Sequence, residues 1–328
     1  MSKWINAKKI AVLLGTAFVF CSGCKKGDSI LAPSVRQVLK VDGASYSLPQ
    51  ARVYLANYKN LYGKAAGADL WKRGNEDGSL EKYVKDLALF QMAKVLSMDS
   101  LAKSRGIELD EAEETGVQKA AKSYYRSLNE QERSFLDVDE ADLEKLYEDY
   151  ALAQKLYKSL TEDINSEVSD DEARIMDAMQ IVVPDKKTAN TVRKALKDGE
   201  DFATVASSYN EAEETKIQFG RGELPKEVET AAFAMDNGTS SDCIQTSEGY
   251  YFIYCINKFN QELTDIHKLK IVQQREKTAF GDVYDAYSKT ISKKIYDKVW
   301  ADASNGLSDE VVTDQFFELY QQNCGSTD

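Results

Sequence analysis

The spacing of hydrophobic residues changes twice along this chain of 328 residues. Between residues 139 and 166, apolar side chains recur at intervals of three and four, which is the period of one face of an α-helix. Between residues 177 and 259 the pattern becomes a series of short β-branched and aromatic runs separated by helical stretches and turn residues. Helical spacing returns after Phe259. The sequence therefore predicts a small α/β unit between two helical segments.

Local signals place the first and last elements. Asp42-Gly43 is a strong turn pair inside residues 35–48, which predicts a short strand that folds back on itself. Pro49 suits the first turn of a helix, where its missing N–H leaves no hydrogen bond unmade. Near the other end of the chain, one apolar stripe predicts helix from Phe280 to Val299. Its members are Phe280, Val283, Tyr284, Tyr287, Ile291, Ile295 and Val299.

The helical segments at both ends carry an apolar face that needs cover, so we expect them to pack on one another. The predicted fold class is α+β, with a mainly helical domain built from N- and C-terminal segments and a small α/β domain inserted between them. The predicted boundaries are a signal peptide (1–23), a tether (24–34), an N-terminal helical segment (35–175), the α/β domain (176–260) and C-terminal helices (261–328).

The first residues have the pattern of an export signal. Lys3, Lys8 and Lys9 precede an apolar run, Ile10 to Phe20, that is far shorter than the roughly 20 residues a spanning helix needs. The run ends in small residues directly before Cys24. This resembles the lipobox of bacterial lipoproteins, which predicts lipidation of Cys24 and attachment to the outer face of the cytoplasmic membrane; the alternative is an ordinary signal peptide with an incidental cysteine.

Charge and histidine content exclude several classes of function. The formal net charge is −12, so the chain lacks the basic surface with which proteins neutralise nucleic-acid phosphates. A single histidine, His267, leaves no His-rich zinc site, and its charged neighbours predict a surface position. We therefore expect no nucleic-acid partner, no metal and no cofactor.

Cysteine usage beyond Cys24 gives no metal or redox motif, because no C-x-x-C is present among the rest. Cys243 and Cys255 fall on two candidate strands that flank Ser247-Glu248-Gly249. Either a cross-strand disulfide or two isolated buried thiols fits this arrangement.

Four motifs in the central segment resemble the parvulin family of peptidyl-prolyl isomerases: DGEDFATVASSY (198–209), FGRGEL (219–224), ETAAFAMDNG (229–238) and TSEGYYFI (246–253). With the export signal and the flanking helices, the chain is similar to extracytoplasmic foldase lipoproteins of the PrsA type, which share a plan with the SurA chaperone. The resemblance implies that the helical domain holds unfolded clients.

The catalytic pattern of that family is altered here. Parvulins open with A-x-H-I-L-V, whereas this chain has AMQIVV, so Gln180 stands at the first active-site histidine and Tyr251 replaces the second. The resemblance implies an altered pocket with these candidates: Gln180, Glu211, Leu224, Val228, Phe233, Thr246 and Tyr251. Leu224 and Val228 take the places of the usual Met and Phe of the proline pocket. Gln180 and Tyr251 offer donors and acceptors that do not titrate near neutrality, so we expect them to bond each other and Thr246.

The expected function is that of a membrane-anchored foldase or chaperone for secreted polypeptides, whose parvulin-like domain binds prolyl peptides. Whether it is an enzyme depends on this altered pocket. One alternative is an active prolyl isomerase of the same architecture. A second alternative is a surface adaptor or ligand-binding lipoprotein.

Overall fold

The structure is a computed structural model that describes residues 36–66 and 80–325. The predicted signal and Cys24 lie outside the described residues. The helices and strands follow in this order: β1 (Gln37–Val41), β2 (Ala44–Ser47), α1 (Leu48–Ala66), α2 (Leu80–Ser104), α3 (Glu111–Ser127), α4 (Glu130–Leu136), α5 (Glu140–Thr161), α6 (Asp170–Ala173), β3 (Met176–Val183), α7 (Lys186–Lys197), α8 (Phe202–Tyr209), β4 (Lys216–Phe219), α9 (Lys226–Ala232), β5 (Ile244–Gln245), β6 (Tyr250–Asn257), α10 (Gln261–Ser288), β7 (Lys293–Ile295), α11 (Asp297–Ala301) and α12 (Phe316–Cys324).

The chain divides into two compact units. One unit comprises Ile164–Thr278, and the other comprises the described parts of Gly15–Asp163 and Ala279–Asp328. We call the first the sheet unit and the second the helical unit. Helices predominate and two separate sheets are present, so the predicted α+β class is confirmed.

The helical unit begins with the predicted hairpin. Asp42 and Gly43 have φ of 46° and 93°, the left-handed conformations that a tight two-residue turn requires, and β1 pairs antiparallel with β2 around them. α1 follows at once, with Pro49 in its first turn. Capping boxes fix the starts of α3, α4 and α5 through Asp110, Asn129 and Asp139. The long helix predicted over 139–166 is confirmed, although it ends at Thr161.

The core of the helical unit is aromatic. Phe316, on α12, is fully buried, and its ring stacks on Tyr147 of α5 with centroids 4.2 Å apart. The rings of Tyr54, Tyr124 and Tyr150 surround the same phenylalanine. Tyr54, Tyr124, Tyr147 and Tyr150 therefore lie in the core, whereas Tyr83 is 55% exposed.

One helix predicted near the end of the chain is wrong in part. α10 ends at Ser288, and residues 293–295 form β7 instead of continuing the stripe through Ile295. β7 pairs antiparallel with β1, with Leu39 opposite Ile295. The free edge of β1 offers backbone partners, and the β-branched Thr290 and Ile291 favour leaving the helix. Helical spacing of the apolar residues gave no indication of this long-range pairing.

The sheet unit is built on four antiparallel strands in the order β4-β3-β6-β5. Pro184 ends β3, and Gly199, with φ of 91°, follows the end of α7. The segment EAEETKIQ (211–218) forms the loop before β4 and the first residues of that strand, which begins at Lys216. Ser169 caps α6, because its hydroxyl accepts a hydrogen bond from the backbone N–H of Glu172 at 3.1 Å.

Candidate functional site

The candidate site lies on one face of the four-stranded sheet. Side chains alternate between the faces of a strand, so Ala178, Gln180 and Val182 of β3 share a face. The register of β3 with β6 places Val182 opposite Tyr251 and Gln180 opposite Ile253. The face also carries a buried apolar cluster that includes Ala178, Tyr251 and Ile253. We call it the site face.

Helices α7 and α8 pack on the opposite face of the sheet. Ile181 and Val183 of β3 and Phe252 of β6 form a second buried cluster there with Val192 and Phe202. Because these helices cover the opposite face, a peptide ligand of the sheet unit is restricted to the site face or to its edges.

α9 and the turn before it supply the apolar floor of the site face. Val228 is fully buried in the cluster, and Leu224 and Phe233 pack against it while remaining half-buried. The ring of Phe233 lies 5.5 Å from the ring of Phe219. Three of the candidate pocket residues, Leu224, Val228 and Phe233, are therefore brought together with Tyr251 in one cluster.

Two arginines flank Phe233. The guanidinium carbons of Arg174 and Arg221 lie 5.1 Å and 5.0 Å from the centre of the Phe233 ring. Nη2 of Arg221 also donates to both carboxylate oxygens of Asp171, at 2.6 Å each. Sequence reasoning missed Arg174, which precedes β3 by two residues and has no motif of its own. These contacts orient Phe233 at one border of the site.

Gln180 is hydrogen-bonded to a neighbouring loop. Its side chain is 8% exposed, and Nε2 donates a hydrogen bond to the backbone carbonyl of Glu214 at 2.9 Å. Its backbone N–H donates to the carbonyl of Thr215 at 2.8 Å. Within the described residues, the side-chain Oε1 of Gln180 accepts no hydrogen bond, so an acceptor remains free on the site face.

Tyr251 is held by a different neighbour. It is 8% exposed, and its hydroxyl donates to a carboxylate oxygen of Glu248 at 3.4 Å. Burial raises the pKa of Tyr251, and the adjacent negative charge of Glu248 raises that pKa further. The phenol is therefore protonated at neutral pH. Gln180 and Tyr251 lie on the same face but do not form the mutual hydrogen bond that the sequence suggested.

Thr246 and Glu211 form hydrogen bonds that hold the loops around the site. The Thr246 hydroxyl donates to the carbonyl of Gly249 and accepts from the backbone N–H of Glu248, which closes the turn between β5 and β6. Glu211 contacts β3 through its backbone, whose N–H donates to the carbonyl of Val182 at 2.9 Å, while its side chain is exposed. The structure thus places Glu211 beside the site and Thr246 in a turn next to it.

The two cysteines of this unit are free thiols. Cys255 belongs to the cluster on the site face, whereas Cys243 packs against the cluster on the opposite face. The separation of the two side chains by the sheet explains why no disulfide joins them. Of the two arrangements left open by the sequence, the structure has the isolated thiols, and burial raises the pKa of Cys255.

His267 is not the surface residue that its charged neighbours predicted. It is half-buried, and its Nδ1 lies 2.8 Å from the carbonyl oxygen of Ala173. Gly220 leaves the space that the imidazole occupies, since a Cβ there would lie 3.1 Å from His267 Cε1. His267 therefore packs α10 against the segment before β3 and lies outside the candidate site.

Among the described residues, no group of three or more His, Cys, Asp or Glu side chains could hold a metal ion. Over the same residues, every helix is too short or too polar to cross a bilayer.

A family model for the PPIC-type PPIASE domain matches residues 138–265. Foldase protein PrsA 3 of Bacillus anthracis is 29% identical over 157 residues, a match that covers 46% of this chain and 49% of that protein. Foldase protein PrsA of Caldanaerobacter subterraneus subsp. tengcongensis is 26% identical over 270 residues, covering 75% of this chain and 81% of that protein. The chain spans about half the length, or less, of the first curated relatives it matches.

Among solved structures, the peptidylprolyl isomerase PrsA of Bacillus cereus covers 75% of this chain and 97% of its own, with 20% identity and a TM-score of 0.38. The resemblance to PPIC-type foldases that the sequence motifs predicted is confirmed by the family model and the curated relatives.

Proposed function

We propose that this chain, which carries a PPIC-type peptidyl-prolyl isomerase domain, is an extracytoplasmic foldase whose sheet unit binds prolyl segments of unfolded clients and turns them over weakly or not at all. One observation carries this proposal. The apolar floor around Val228 is kept, while Gln180 and Tyr251, at the two family histidine positions, are each engaged with another group.

Prolyl isomerisation makes specific demands on such a site. Rotation about the X-Pro bond faces a barrier of about 20 kcal/mol, because the twisted state loses amide resonance. An enzyme lowers this barrier by holding the ring in an apolar slot and by stabilising the twisted carbonyl more than the planar one. Here the apolar floor can hold the ring, but the hydroxyl of Tyr251 is directed at Glu248 and an N–H of Gln180 at Glu214. The site therefore favours binding over catalysis.

Client holding is the proposed role of the helical unit. Its aromatic core, centred on Phe316, ties α12 to α1, α3 and α5, which gives a stable body. Large apolar side chains remain exposed on it, with Tyr83 at 55% and Val312 at 58%. Unfolded chains expose apolar surface, and such side chains offer contact that demands no particular sequence.

Lipid anchoring at Cys24 is part of the proposal and rests on the export pattern of the first residues. The predicted mature chain has a net charge of −15, so an anionic membrane surface would repel it and attachment would depend on acyl chains. Metabolic labelling with a palmitate analogue tests this. The wild-type chain should be labelled and the Cys24→Ser variant should not; an unlabelled wild-type chain contradicts the anchor.

The experiment for the proposed activity is a protease-coupled isomerase assay on a prolyl tetrapeptide, paired with a binding titration of the same peptide. We expect binding that weakens in Leu224→Ala, with little acceleration of isomerisation. Acceleration that Leu224→Ala or Tyr251→Ala abolishes would establish the active-isomerase alternative instead. Failure to suppress aggregation of an unfolded substrate, together with tight binding to one folded partner, would support the adaptor alternative.

A further inference from the structure

Charge differs between α7 and the loops that lie beside Gln180 and Tyr251. α7, which packs on the face opposite the site, contains five basic residues and no acidic residue. Two segments beside the site face, residues 210–215 and 246–249, together contain four acidic residues and no basic residue. A peptide that approaches Gln180 and Tyr251 therefore meets negative charge, whereas Arg174 and Arg221 lie at the Phe233 border of the site.

Four glutamates border the site directly, and we call them the acidic rim: Glu211, Glu213, Glu214 and Glu248. All four side chains are exposed. Glu248 reaches the site itself, since its carboxylate lies 3.4 Å from the hydroxyl of Tyr251. Within the part of the chain that the structure describes, no ion pair neutralises any of the four.

The loop that carries three of these glutamates is fixed against β3. The side chain of Gln180 donates to the carbonyl of Glu214, and the N–H of Glu211 donates to the carbonyl of Val182 at 2.9 Å. The side chain of Asn210 accepts from the N–H of Val182 and donates to the hydroxyl of Thr215. A loop held in this way keeps its carboxylates within a Debye length of a peptide on the site face, about 8 Å at physiological ionic strength.

The basic residues nearest in sequence do not neutralise the rim. Lys216 pairs in register with Met179, whose side chain packs on the opposite face, so alternation directs Lys216 away from the site. Arg221 is occupied by its ion pair with Asp171.

A second observation, independent of the rim, concerns the polar groups inside the site. Gln180 is 8% exposed, its side-chain N–H is engaged with Glu214, and its Oε1 remains free. The hydroxyl of Tyr251 donates its hydrogen bond to Glu248, so the phenolic oxygen can still accept one from a ligand. The site thus presents acceptors to a ligand, and acceptors favour ligands that donate.

We propose that this site selects prolyl segments in which lysine or arginine flanks the proline. The inference rests on the proposed function and names the class of client that the same site takes. The ammonium or guanidinium group of such a peptide meets the acidic rim and the free acceptors of Gln180 and Tyr251 while the proline ring contacts the apolar floor.

The test is the affinity of a soluble chain that lacks the predicted signal peptide and Cys24 (residues 25–328) for four fluorescent hexapeptides: AAKPKA, AAAPAA, AAEPEA and the proline-free AAKAKA. At low salt we expect AAKPKA to bind about tenfold more tightly than AAEPEA, with AAAPAA between them, and the difference should shrink at 0.5 M NaCl. AAKAKA should bind more weakly than AAKPKA, because it lacks the ring that contacts the apolar floor.

Two variants with equal charge changes locate the effect. Glu211→Gln/Glu213→Gln/Glu214→Gln should remove most of the preference for AAKPKA. The control Glu167→Gln/Glu200→Gln/Glu262→Gln changes three exposed glutamates of the same unit outside the rim and should keep the preference. Equal effects of the two triple variants, or equal binding of AAKPKA and AAKAKA, would overturn the proposal as non-specific attraction. If all three prolyl peptides bind with equal affinity, only the proposed selectivity for basic residues is overturned. If none of them binds, the proposed function is overturned as well.

Discussion

The side-chain oxygen of Asn57 accepts a hydrogen bond from the backbone N–H of Phe316 at 3.0 Å, across 259 positions of the chain. The Asn57 amide nitrogen donates to the hydroxyl of Tyr124 at 2.6 Å, and Thr313 donates to the same hydroxyl at 3.0 Å. Asn57 is fully buried. One amide therefore joins α1 to α3 and to the start of α12.

Replacing Asn57 should destabilise the helical unit. Asn57→Ala leaves the buried N–H of Phe316 without its partner, and each such orphaned group costs about 1–3 kcal/mol. We expect a loss of roughly 2–4 kcal/mol in the free energy of unfolding. Urea unfolding followed by tryptophan fluorescence measures it, because Trp300 is buried in the helical unit. Asn323→Ala is the control, since that amide bonds only Leu319 of its own helix.

Phe316, whose backbone N–H bonds Asn57, also contributes its ring to the aromatic core. Phe316→Ala removes a fully buried ring that stacks on Tyr147, and we expect a loss of about 3–5 kcal/mol in unfolding free energy. Tyr83→Ala, at a 55% exposed position, should cost less than about 1 kcal/mol. A comparable loss in both variants would show that α12 does not anchor the core.

Asp149 should give the helical unit a pH-dependent stability. Burial raises its pKa to about 6, with Lys145 lowering it and Asp99 raising it. The folded state therefore binds a proton at Asp149 more tightly than the unfolded state, so the contribution of Asp149 to stability is greatest near pH 4 and is lost as the pH rises through 6. The change approaches about 3 kcal/mol over that interval. Urea unfolding at pH 4, 5, 6 and 7 should show this slope in the wild-type chain.

Asp149→Asn should flatten most of that slope, and Asp86→Asn, at an exposed ion pair with Lys82, should leave it intact. A slope of the opposite sign in the wild-type chain would mean that Asp149 is stabilised as the carboxylate by Lys145.

Restoring the family histidines should raise catalysis. In Gln180→His/Tyr251→His, two imidazoles stand on the site face above the apolar floor that Val228 provides. We expect kcat/KM for a prolyl tetrapeptide to rise by at least about tenfold, equivalent to roughly 1.4 kcal/mol of transition-state stabilisation. The protease-coupled assay measures it, with Cys243→Ser as a control on the opposite face. An unchanged rate would contradict the proposal that Gln180 and Tyr251 limit isomerisation.

Local patterns in the sequence were enough to predict the hairpin at Asp42-Gly43, the long helix before residue 162 and the presence of strand-forming runs in the sheet unit. These features depend on turn chemistry and on side-chain period, which act within a few residues. The pairing of β7 with β1 joins segments more than 250 residues apart, so no local pattern indicates it. The same limit applies to Gln180, whose partner Glu214 depends on how a loop lies along β3.

The residues of the candidate site likewise divide into those that sequence motifs indicate and those that only tertiary contacts reveal. Motif resemblance brought out Leu224, Val228, Phe233 and Tyr251, and the structure gathers them in one cluster. Glu248 and Arg174 act through contacts with Tyr251 and Phe233 that depend on tertiary packing. Their importance could not be read from their own sequence neighbourhoods.

The most direct test of the account is an NMR titration of the isotope-labelled mature chain with a prolyl tetrapeptide, in which shift changes and cis–trans exchange of the peptide are recorded in one sample. Binding at the site face without turnover predicts shifts at Gln180, Leu224, Phe233 and Tyr251, and no exchange cross-peaks beyond those of the free peptide. Shifts confined to other residues, or strong exchange cross-peaks, would contradict it.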